Sequence, residues 1–138
     1  MRVNQIMSRN VVTVPVEATI AEAAELMKAH DIGFLPVVTG DIVVGVVTER
    51  DLVVRGICER VSPYLTPVRA VMTATPVWCY DHDVLTDAAD ILADNHVHRL
   101  IVIDTNNRIT GLLSIDDLAA HMSSDRLLGI VLRRVAVA

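Results

Sequence analysis

The sequence predicts an α/β fold (α+β in its strand pairing) built from two βαββα copies of one unit. Three observations predict it. Of the 138 residues 52% are hydrophobic but only 3% are aromatic, so the core must be aliphatic. The segment Ile6–Ser8 returns as Val71–Thr73, 65 residues later. Helical and strand periodicities also follow each other in the same order in both copies.

The duplication extends over about fifty positions with a single inserted residue. Leu35–Val38 matches Leu100–Ile103 at the offset of 65 residues. The turn Asp104–Asn107 is one residue longer than its counterpart, so Gly45–Leu52 matches Gly111–Leu118 at an offset of 66. A copy of about 65 residues buries so little surface that it would be only marginally stable alone. We therefore expect both copies to pack about a pseudo-two-fold axis.

The first copy shows its elements clearly. Thr19 and Glu22 form the capping-box pattern that begins a helix. The strands Phe34–Val38 and Ile42–Val47 are separated by a three-residue turn, which predicts a hairpin, and a second helix covers Glu49–Arg55. The apolar stripe of the first helix has the spacing i, i+3, i+4, i+7 and consists of Ile20, Ala23, Ala24 and Met27.

The second copy repeats this order. Asp83 is predicted to cap its first helix, and Ile115–Met122 to form its second. The tail Ser123–Val135 is predicted to be a closing helix, with Arg133 and Arg134 near the C-terminal end that the helix dipole makes favourable for cations. These patterns divide the chain into a first motif (1–56), a linker (57–68), a second motif (69–122) and a C-terminal tail (123–138).

Charge and hydropathy exclude several classes of protein. The net charge is −5, with −2 on residues 1–65 and −3 on residues 66–138, so nucleic-acid binding is disfavoured. The longest apolar stretches, Ile42–Val47 and Leu127–Leu132, are about a third of the length that a bilayer span requires. The start, Met1–Gln5, lacks the apolar region of a signal peptide, so we expect a cytoplasmic protein without membrane association.

The cysteines and histidines do not predict a metal site. Cys58 and Cys79 form no Cys-x-x-Cys pair, and Cys79 takes the place of an apolar residue of the first copy, which predicts a buried, inert thiol. His96 and His98 could begin a site, but no spacing supplies a third and fourth ligand. We expect no bound metal.

Two repeated stretches carry a family likeness. Asp31–Val38 and Gly45–Leu52, with their counterparts in the second copy, resemble the cystathionine β-synthase (CBS) domain. The resemblance runs from about Val3 to His121, and two such motifs in one chain resemble a CBS pair, or Bateman module. It implies a stand-alone CBS-pair protein with that family's α/β fold.

The resemblance implies a regulatory module that binds an adenine nucleotide (AMP, ADP or ATP), is not an enzyme and needs no other cofactor. NAD or S-adenosylmethionine is the alternative ligand. In the family, a carboxylate holds the ribose hydroxyls, a Ser or Thr hydroxyl faces the phosphate, and apolar side chains enclose the adenine. Carried over, one cleft comprises Ser8, Asn10, Val12, Ile32, Gly33, Pro36, Ser114 and Asp117. The other comprises Thr48, Asp51, Thr73, Thr75, Val77, Val97, His98 and Ile101, with Arg99 as a further phosphate contact.

The charged residues make these clefts unequal. His98 and Arg99 take the places of Gly33 and Phe34, so AMP or ATP is expected to prefer the cleft that contains Asp51. The resemblance also implies a homodimer that modulates an unidentified protein partner.

Several residues have a second interpretation. Thr48-x-x-Asp51 and its counterpart also match a helix-capping box, which needs no ligand. Gly45 and Gly111 lie mid-strand, where either a close approach of a ligand or of the other repeat's backbone, or a β-bulge, explains a glycine. A ligand-free dimeric interaction protein is the alternative function. An enzyme using His98 and Asp51 is disfavoured, because no phosphate loop or nucleophile–base pair is found.

Overall fold

The computed structural model describes residues 1–135 and divides into two compact units. The first unit is the continuous segment Val12–Pro76. The second combines Met1–Val11 with the chain from Val77 onward. The last three residues of the predicted tail, 136–138, lie outside the described residues.

The first unit contains one three-stranded sheet and two helical segments. Its elements are β1 (Val14–Pro15), α1 (Ile20–His30), β2 (Phe34–Thr39), β3 (Ile42–Thr48) and α2 (Glu49–Asp51), which continues as a π-helical segment, Leu52–Ile57. The strand order is β1-β2-β3, with β1 parallel and β3 antiparallel to β2. A 3₁₀ turn, Val68–Ala70, follows.

The second unit repeats this topology and adds a helix. Its elements are a 3₁₀ turn (Val3–Gln5), β4 (Trp78–Tyr80), α3 (Leu85–Asp94), β5 (Arg99–Ile103), β6 (Ile109–Ser114), α4 (Ile115–Ala119) and α5 (Ser124–Val135). The order β4-β5-β6 again pairs one parallel and one antiparallel neighbour with the central strand. The predicted α/β class and the βαββα order are confirmed.

The helix starts test the capping predictions. The Glu22 amide donates to Thr19 Oγ1 (3.1 Å) and the Thr19 amide to Glu22 Oε2 (3.2 Å), so the predicted capping box begins α1. The prediction that Asp83 caps α3 is wrong, because Val84 holds the N-cap position. The Asp83 carboxylate instead accepts from the Tyr80 amide (2.9 Å) and closes the turn before the helix.

Each unit includes a segment that belongs, by sequence, to the other repeat. In the first unit Val68 and Val71 are buried in the core, and Thr73 exchanges two backbone hydrogen bonds with Val46 of β3 (2.8 and 3.0 Å). In the second unit Ser8 does the same with Leu112 of β6 (both 2.9 Å). We call Val68–Thr73 and Val3–Ser8 the exchanged segments.

The exchanged segments explain the two mid-strand glycines. A Cβ on Gly45 would lie 2.6 Å from the Thr73 carbonyl oxygen, and one on Gly111 would lie 2.7 Å from that of Ser8. Close approach by the other repeat's backbone is therefore confirmed. The pairing register of each hairpin also shifts beside the glycine, between Val37 and Val38 in the first unit, so a strand irregularity accompanies the approach.

The closing helix is confirmed as α5, which packs on α3 and α4. Ile130 of this helix is fully buried. Arg126 and Arg133 both bind the Asp90 carboxylate of α3 at 2.9 Å, so the predicted basic residue near the C-terminal end pairs with an acidic neighbour. The side chain of Arg134 lies outside the described part of the chain.

Candidate functional site

The first candidate group lies where β3 meets α2. The Asp51 amide donates to Thr48 Oγ1 (3.2 Å) and the Thr48 amide donates to Asp51 Oδ2 (2.9 Å). Both side chains are partly buried, and Arg55 Nε lies 3.8 Å from Asp51 Oδ1. The two carboxylate oxygens therefore face different neighbours, the helix cap and a guanidinium.

The second unit repeats this geometry at Ser114 and Asp117. The Asp117 amide donates to Ser114 Oγ (3.1 Å), and the Ser114 amide donates to Asp117 Oδ2 (2.9 Å). His121 occupies the place of Arg55 and contacts the backbone carbonyl of Asp117 through Nδ1 (3.0 Å) rather than the carboxylate. The capping interpretation is confirmed in both units, and ribose binding by these carboxylates stays a prediction.

The exchanged segments bring hydroxyl residues to the same sheets. Thr73 pairs with Val46, two residues before Thr48 on β3, and is partly buried. Ser8 occupies the equivalent place beside β6 and is exposed. Thr75 and Asn10, two residues beyond the end of each exchanged segment, are exposed like Ser8 and thus accessible to a ligand.

Arg55 strengthens the first arrangement. Its Nη1 donates to the carbonyls of Met72 (3.0 Å) and Val71 (3.4 Å). One guanidinium thus links the carboxylate of Asp51 to the backbone of the exchanged segment. Sequence reasoning missed this role, although the i,i+4 spacing from Asp51 indicated an ion pair on a helix.

The basic pair of the second unit lies beside Ser114. The Ile115 amide donates to the His98 carbonyl (3.1 Å), and Arg99 is directly opposite Ser114 in the β5–β6 pairing. Both side chains are exposed. In the first unit these places belong to Gly33 and Phe34, so the strand position opposite Thr48 carries neither an imidazole nor a guanidinium.

The predicted apolar residues differ in accessibility. Pro36 of β2 and Ile101 of β5 are buried, whereas the other apolar candidates are partly exposed at Val12, Ile32, Val77 and Val97. Of the first predicted cleft, Ser8, Asn10, Ser114 and Asp117 belong to the second unit and the other members to the first. Of the second cleft, Thr48, Asp51, Thr73 and Thr75 belong to the first unit and the other members to the second.

The predicted burial of Cys79 is confirmed, and the two thiols differ in exposure. Cys58 is exposed, and Cys79 is buried. Burial, together with the charges of Asp83 and Asp81, raises the pKa of the Cys79 thiol to about 12. A protonated thiol is a poor nucleophile, so Cys79 serves packing.

An aromatic group lies at the start of the second unit's sheet. The rings of Trp78 and Tyr80 meet edge to face with centroids 5.0 Å apart, and Tyr80 stacks on His82 at 5.1 Å.

Within residues 1–135 no three metal-ligating side chains come together. Nor do the described helices include one that is long and apolar enough to cross a membrane.

Comparison with known proteins agrees with this geometry. The CBS domain model matches residues 3–55 and again residues 68–124. The chain therefore belongs to the CBS domain family and carries two such domains. A CBS domain-containing protein of Bacillus subtilis, YhcV, is 34% identical over 134 residues, which cover 97% of this chain and 94% of that relative.

Solved structures share the fold. A CBS domain protein of Thermoplasma acidophilum has a TM-score of 0.81 at 28% identity, covering 96% of this chain and 75% of that one. A CBS domain protein of Pyrobaculum aerophilum, complexed with AMP, has a TM-score of 0.78 at 25% identity, covering 96% and 99%. The family thus includes a protein that binds an adenine nucleotide.

Proposed function

We propose that this chain is a regulatory module that binds an adenosine-containing ligand, with AMP, ADP or ATP as the preferred class, and modulates a partner protein without catalysis of its own. The observation that carries the proposal is the duplicated Ser/Thr-x-x-Asp arrangement, Thr48–Asp51 and Ser114–Asp117, in a family with an AMP-bound member.

The cap leaves each carboxylate able to accept more hydrogen bonds. A carboxylate has about four lone-pair sites, and the amide of Thr48 or Ser114 uses one of them. Two neighbouring ribose hydroxyls are donors of the right spacing for such a group. The Thr48 and Ser114 hydroxyls can donate a hydrogen bond to phosphate while accepting one from the helix amide, so capping and binding are compatible.

His98 and Arg99 are the proposed phosphate contacts. Both are exposed and accessible to an anion. The family likeness assigns them to the preferred site, together with Asp51, Thr48, Thr73, Thr75, Val77, Val97 and Ile101. The weaker site then consists of Ser8, Asn10, Val12, Ile32, Gly33, Pro36, Ser114 and Asp117. The place of Arg99 opposite Ser114 supports the reverse preference, so the experiment must distinguish the two.

Isothermal titration with AMP and with adenosine tests the proposal. Losing a hydrogen bond to a charged group costs about 1.5–3 kcal/mol, so Asp51→Ala should weaken AMP binding at least about tenfold, and Asp117→Ala should affect only a weaker second event. Arg99→Ala should weaken AMP but not adenosine. A larger loss in Asp117→Ala would reverse the assignment.

Glu22→Ala is the matched control. It removes a capping-box acid with the same geometry in α1, at a cost of about 1 kcal/mol of stability, and Glu22 is not among the proposed ligand contacts. If Glu22→Ala and Asp51→Ala change the affinity equally, the carboxylates are only helix caps. The ligand-free interaction protein would then be the better description.

We further propose that the protein is cytoplasmic. Both cysteines are free, which is typical of a reducing compartment. A homodimer is also proposed, with no nucleic-acid partner.

A further inference from the structure

One arginine of the first unit joins two parts of the candidate site that are distant in sequence. The side chain of Arg55 is half-exposed, and its Nε lies 3.8 Å from Asp51 Oδ1. Its Nη1 donates to the carbonyl oxygens of Met72 (3.0 Å) and Val71 (3.4 Å). Because the guanidinium is planar and its donors have fixed relative positions, it holds the carboxylate and the two carbonyls at a defined separation.

These contacts belong to a closed ring that passes through three of the predicted ligand residues. From Met72 the chain continues to Thr73, which exchanges two backbone hydrogen bonds with β3. Further along β3, the Thr48 amide donates to Asp51 Oδ2 (2.9 Å). Arg55 then connects Asp51 back to Met72. The ring therefore contains Thr48, Asp51 and Thr73, and Arg55 is the side chain that closes it.

The second unit contains the same parts, but a different side chain stands where Arg55 closes the ring. Ser8 exchanges two backbone hydrogen bonds with β6, and the Ser114 amide donates to Asp117 Oδ2. His121 takes the place of Arg55, and its Nδ1 lies 3.0 Å from the backbone carbonyl oxygen of Asp117. Within the described residues this imidazole does not connect the carboxylate with the exchanged segment.

The carboxylate of Asp51 can bind a ribose while Arg55 stays in place. A carboxylate has about four lone-pair sites. The Thr48 amide uses one and Arg55 faces the other oxygen, so sites remain for two neighbouring hydroxyls. A carboxylate that is already oriented loses less freedom on binding, and a bound ligand in turn holds the carboxylate beside Arg55. Ligand binding and the attachment of the exchanged segment should therefore favour each other.

We propose that Arg55 is a positioning residue of the Asp51 site, and that it couples occupancy of this carboxylate to the attachment of Val68–Thr73 to β3. It acts through Asp51 and not through the ligand. The inference rests on the proposed binding of an adenosine-containing ligand and names the regulation of that site. The affected segment immediately precedes the chain that leads into the second unit at Val77.

Amide hydrogen exchange of the free chain, followed by NMR, tests the coupling without nucleotide. The Thr73 and Val46 amides are the reporters, because each donates a hydrogen bond across the attachment (2.8 and 3.0 Å). Asp51→Asn keeps an acceptor for the helix cap but removes the charge beside Arg55. We expect it to accelerate exchange of both reporters by up to about fivefold, the scale of a half-exposed ion pair. In an Arg55→Met background it should have no further effect.

Arg55→Lys separates the effect of the bridge from that of the charge. A lysine keeps the positive charge four residues after Asp51, but its single nitrogen cannot occupy both the Nε and the Nη1 positions. We therefore expect Arg55→Lys to resemble Arg55→Met. Circular dichroism checks that each variant is folded, and Arg55→Lys replaces Arg55→Met in the comparison with Asp51→Asn if the latter background does not fold.

AMP tests whether a ligand acts through the same contact. Saturating AMP should slow exchange of both reporters by about fivefold in the wild type and by less than about twofold in Arg55→Met. Arg69→Met is the matched control, because Arg69 belongs to the same exchanged segment but pairs with Glu17 (2.9 Å). The response to AMP should persist in that variant.

Three results would overturn the proposal. One is that Asp51→Asn and Arg55→Met act additively on the exchange of the reporters. Another is wild-type exchange in Arg55→Lys, since the charge would then suffice without the bridge. The third is a response to AMP of equal size in the wild type and Arg55→Met. If the wild type bound no AMP, the proposed function would be refuted instead, and exchange in the free chain would still decide the coupling.

Discussion

Replacing Gly45 by alanine should displace the exchanged segment of the first unit from β3 and destabilise the fold. The added Cβ would lie 2.6 Å from the Thr73 carbonyl oxygen and 2.8 Å from Met72 Sδ, distances that side chains essentially never adopt. The sulfur can move, but the carbonyl is backbone and accepts from the Val46 amide at 3.0 Å. The segment must therefore shift and strain the two hydrogen bonds between Thr73 and Val46.

The magnitude follows from these contacts. Overpacking costs about 1–3 kcal/mol, and each weakened backbone hydrogen bond contributes about 1 kcal/mol. We expect a loss of about 2–3 kcal/mol in the free energy of unfolding, and a melting temperature lower by roughly 10 °C. Urea denaturation followed by circular dichroism measures the first quantity and a thermal scan the second.

Gly129→Ala is the matched control, because none of the described side chains lies within 4 Å of the Cβ position on this glycine of α5. Alanine there should stabilise by up to about 1 kcal/mol through helix propensity. Gly111→Ala should behave like Gly45→Ala, since its Cβ would meet Ser8 in the same way. If Gly45→Ala retained wild-type stability to within about 0.5 kcal/mol, the packing account of these glycines would be refuted.

Four shorter predictions concern the thiols, the oligomeric state and nucleic-acid binding. A thiol reagent at pH 8 should modify Cys58 quickly and Cys79 only on unfolding. The free energy of unfolding should also fall above about pH 9, which is the usual pKa of the thiol. Above this pH the unfolded chain releases the Cys79 proton, whereas the folded chain keeps it until about pH 12. We expect a two-fold symmetric dimer, so sedimentation equilibrium at micromolar protein should give twice the chain mass, and a 15.1 kDa species would contradict this. With a net charge of −5, the protein should show no tight binding to duplex DNA at physiological salt in a filter assay, and micromolar affinity would contradict the charge argument.

Features set by neighbouring residues were predictable from the sequence. The capping box at Thr19 and Glu22 depends on a spacing of three residues and is found as predicted. The hairpins also follow from short branched strands on either side of a turn. Even the crowding at Gly45 was foreseeable, because a glycine in mid-strand requires a reason.

Features that depend on distant residues or on small differences in bonding were not predictable. The predicted helix Glu49–Arg55 is α-helical only to Asp51 and π-helical over Leu52–Ile57, and periodicity cannot separate these bonding patterns over six residues. The predicted helix Ile115–Met122 ends at Ala119. Asp83 is one residue away from the N-cap position, and its local turn with Tyr80 decided the outcome.

The candidate site divides in the same way. The Ser/Thr-x-x-Asp capping boxes depend on residues three positions apart and were predictable from the sequence. The contact of Arg55 with the carbonyls of Val71 and Met72 instead joins residues 16 and 17 positions apart. Only the tertiary structure brings them together.

The exchanged segments also bear on how such a gene can arise. A chain encoding one ancestral repeat would carry a leading segment like Val3–Ser8 but would lack Val68 and Val71, which complete the core of the first unit. Two such half-length chains could complete each other only by trading leading segments, as domain-swapped dimers do. Fusion of the two copies in one reading frame makes that trade intramolecular, at an effective concentration in the millimolar range. Duplication would thus have converted an assembly that depended on expression level into one that folds at any dilution.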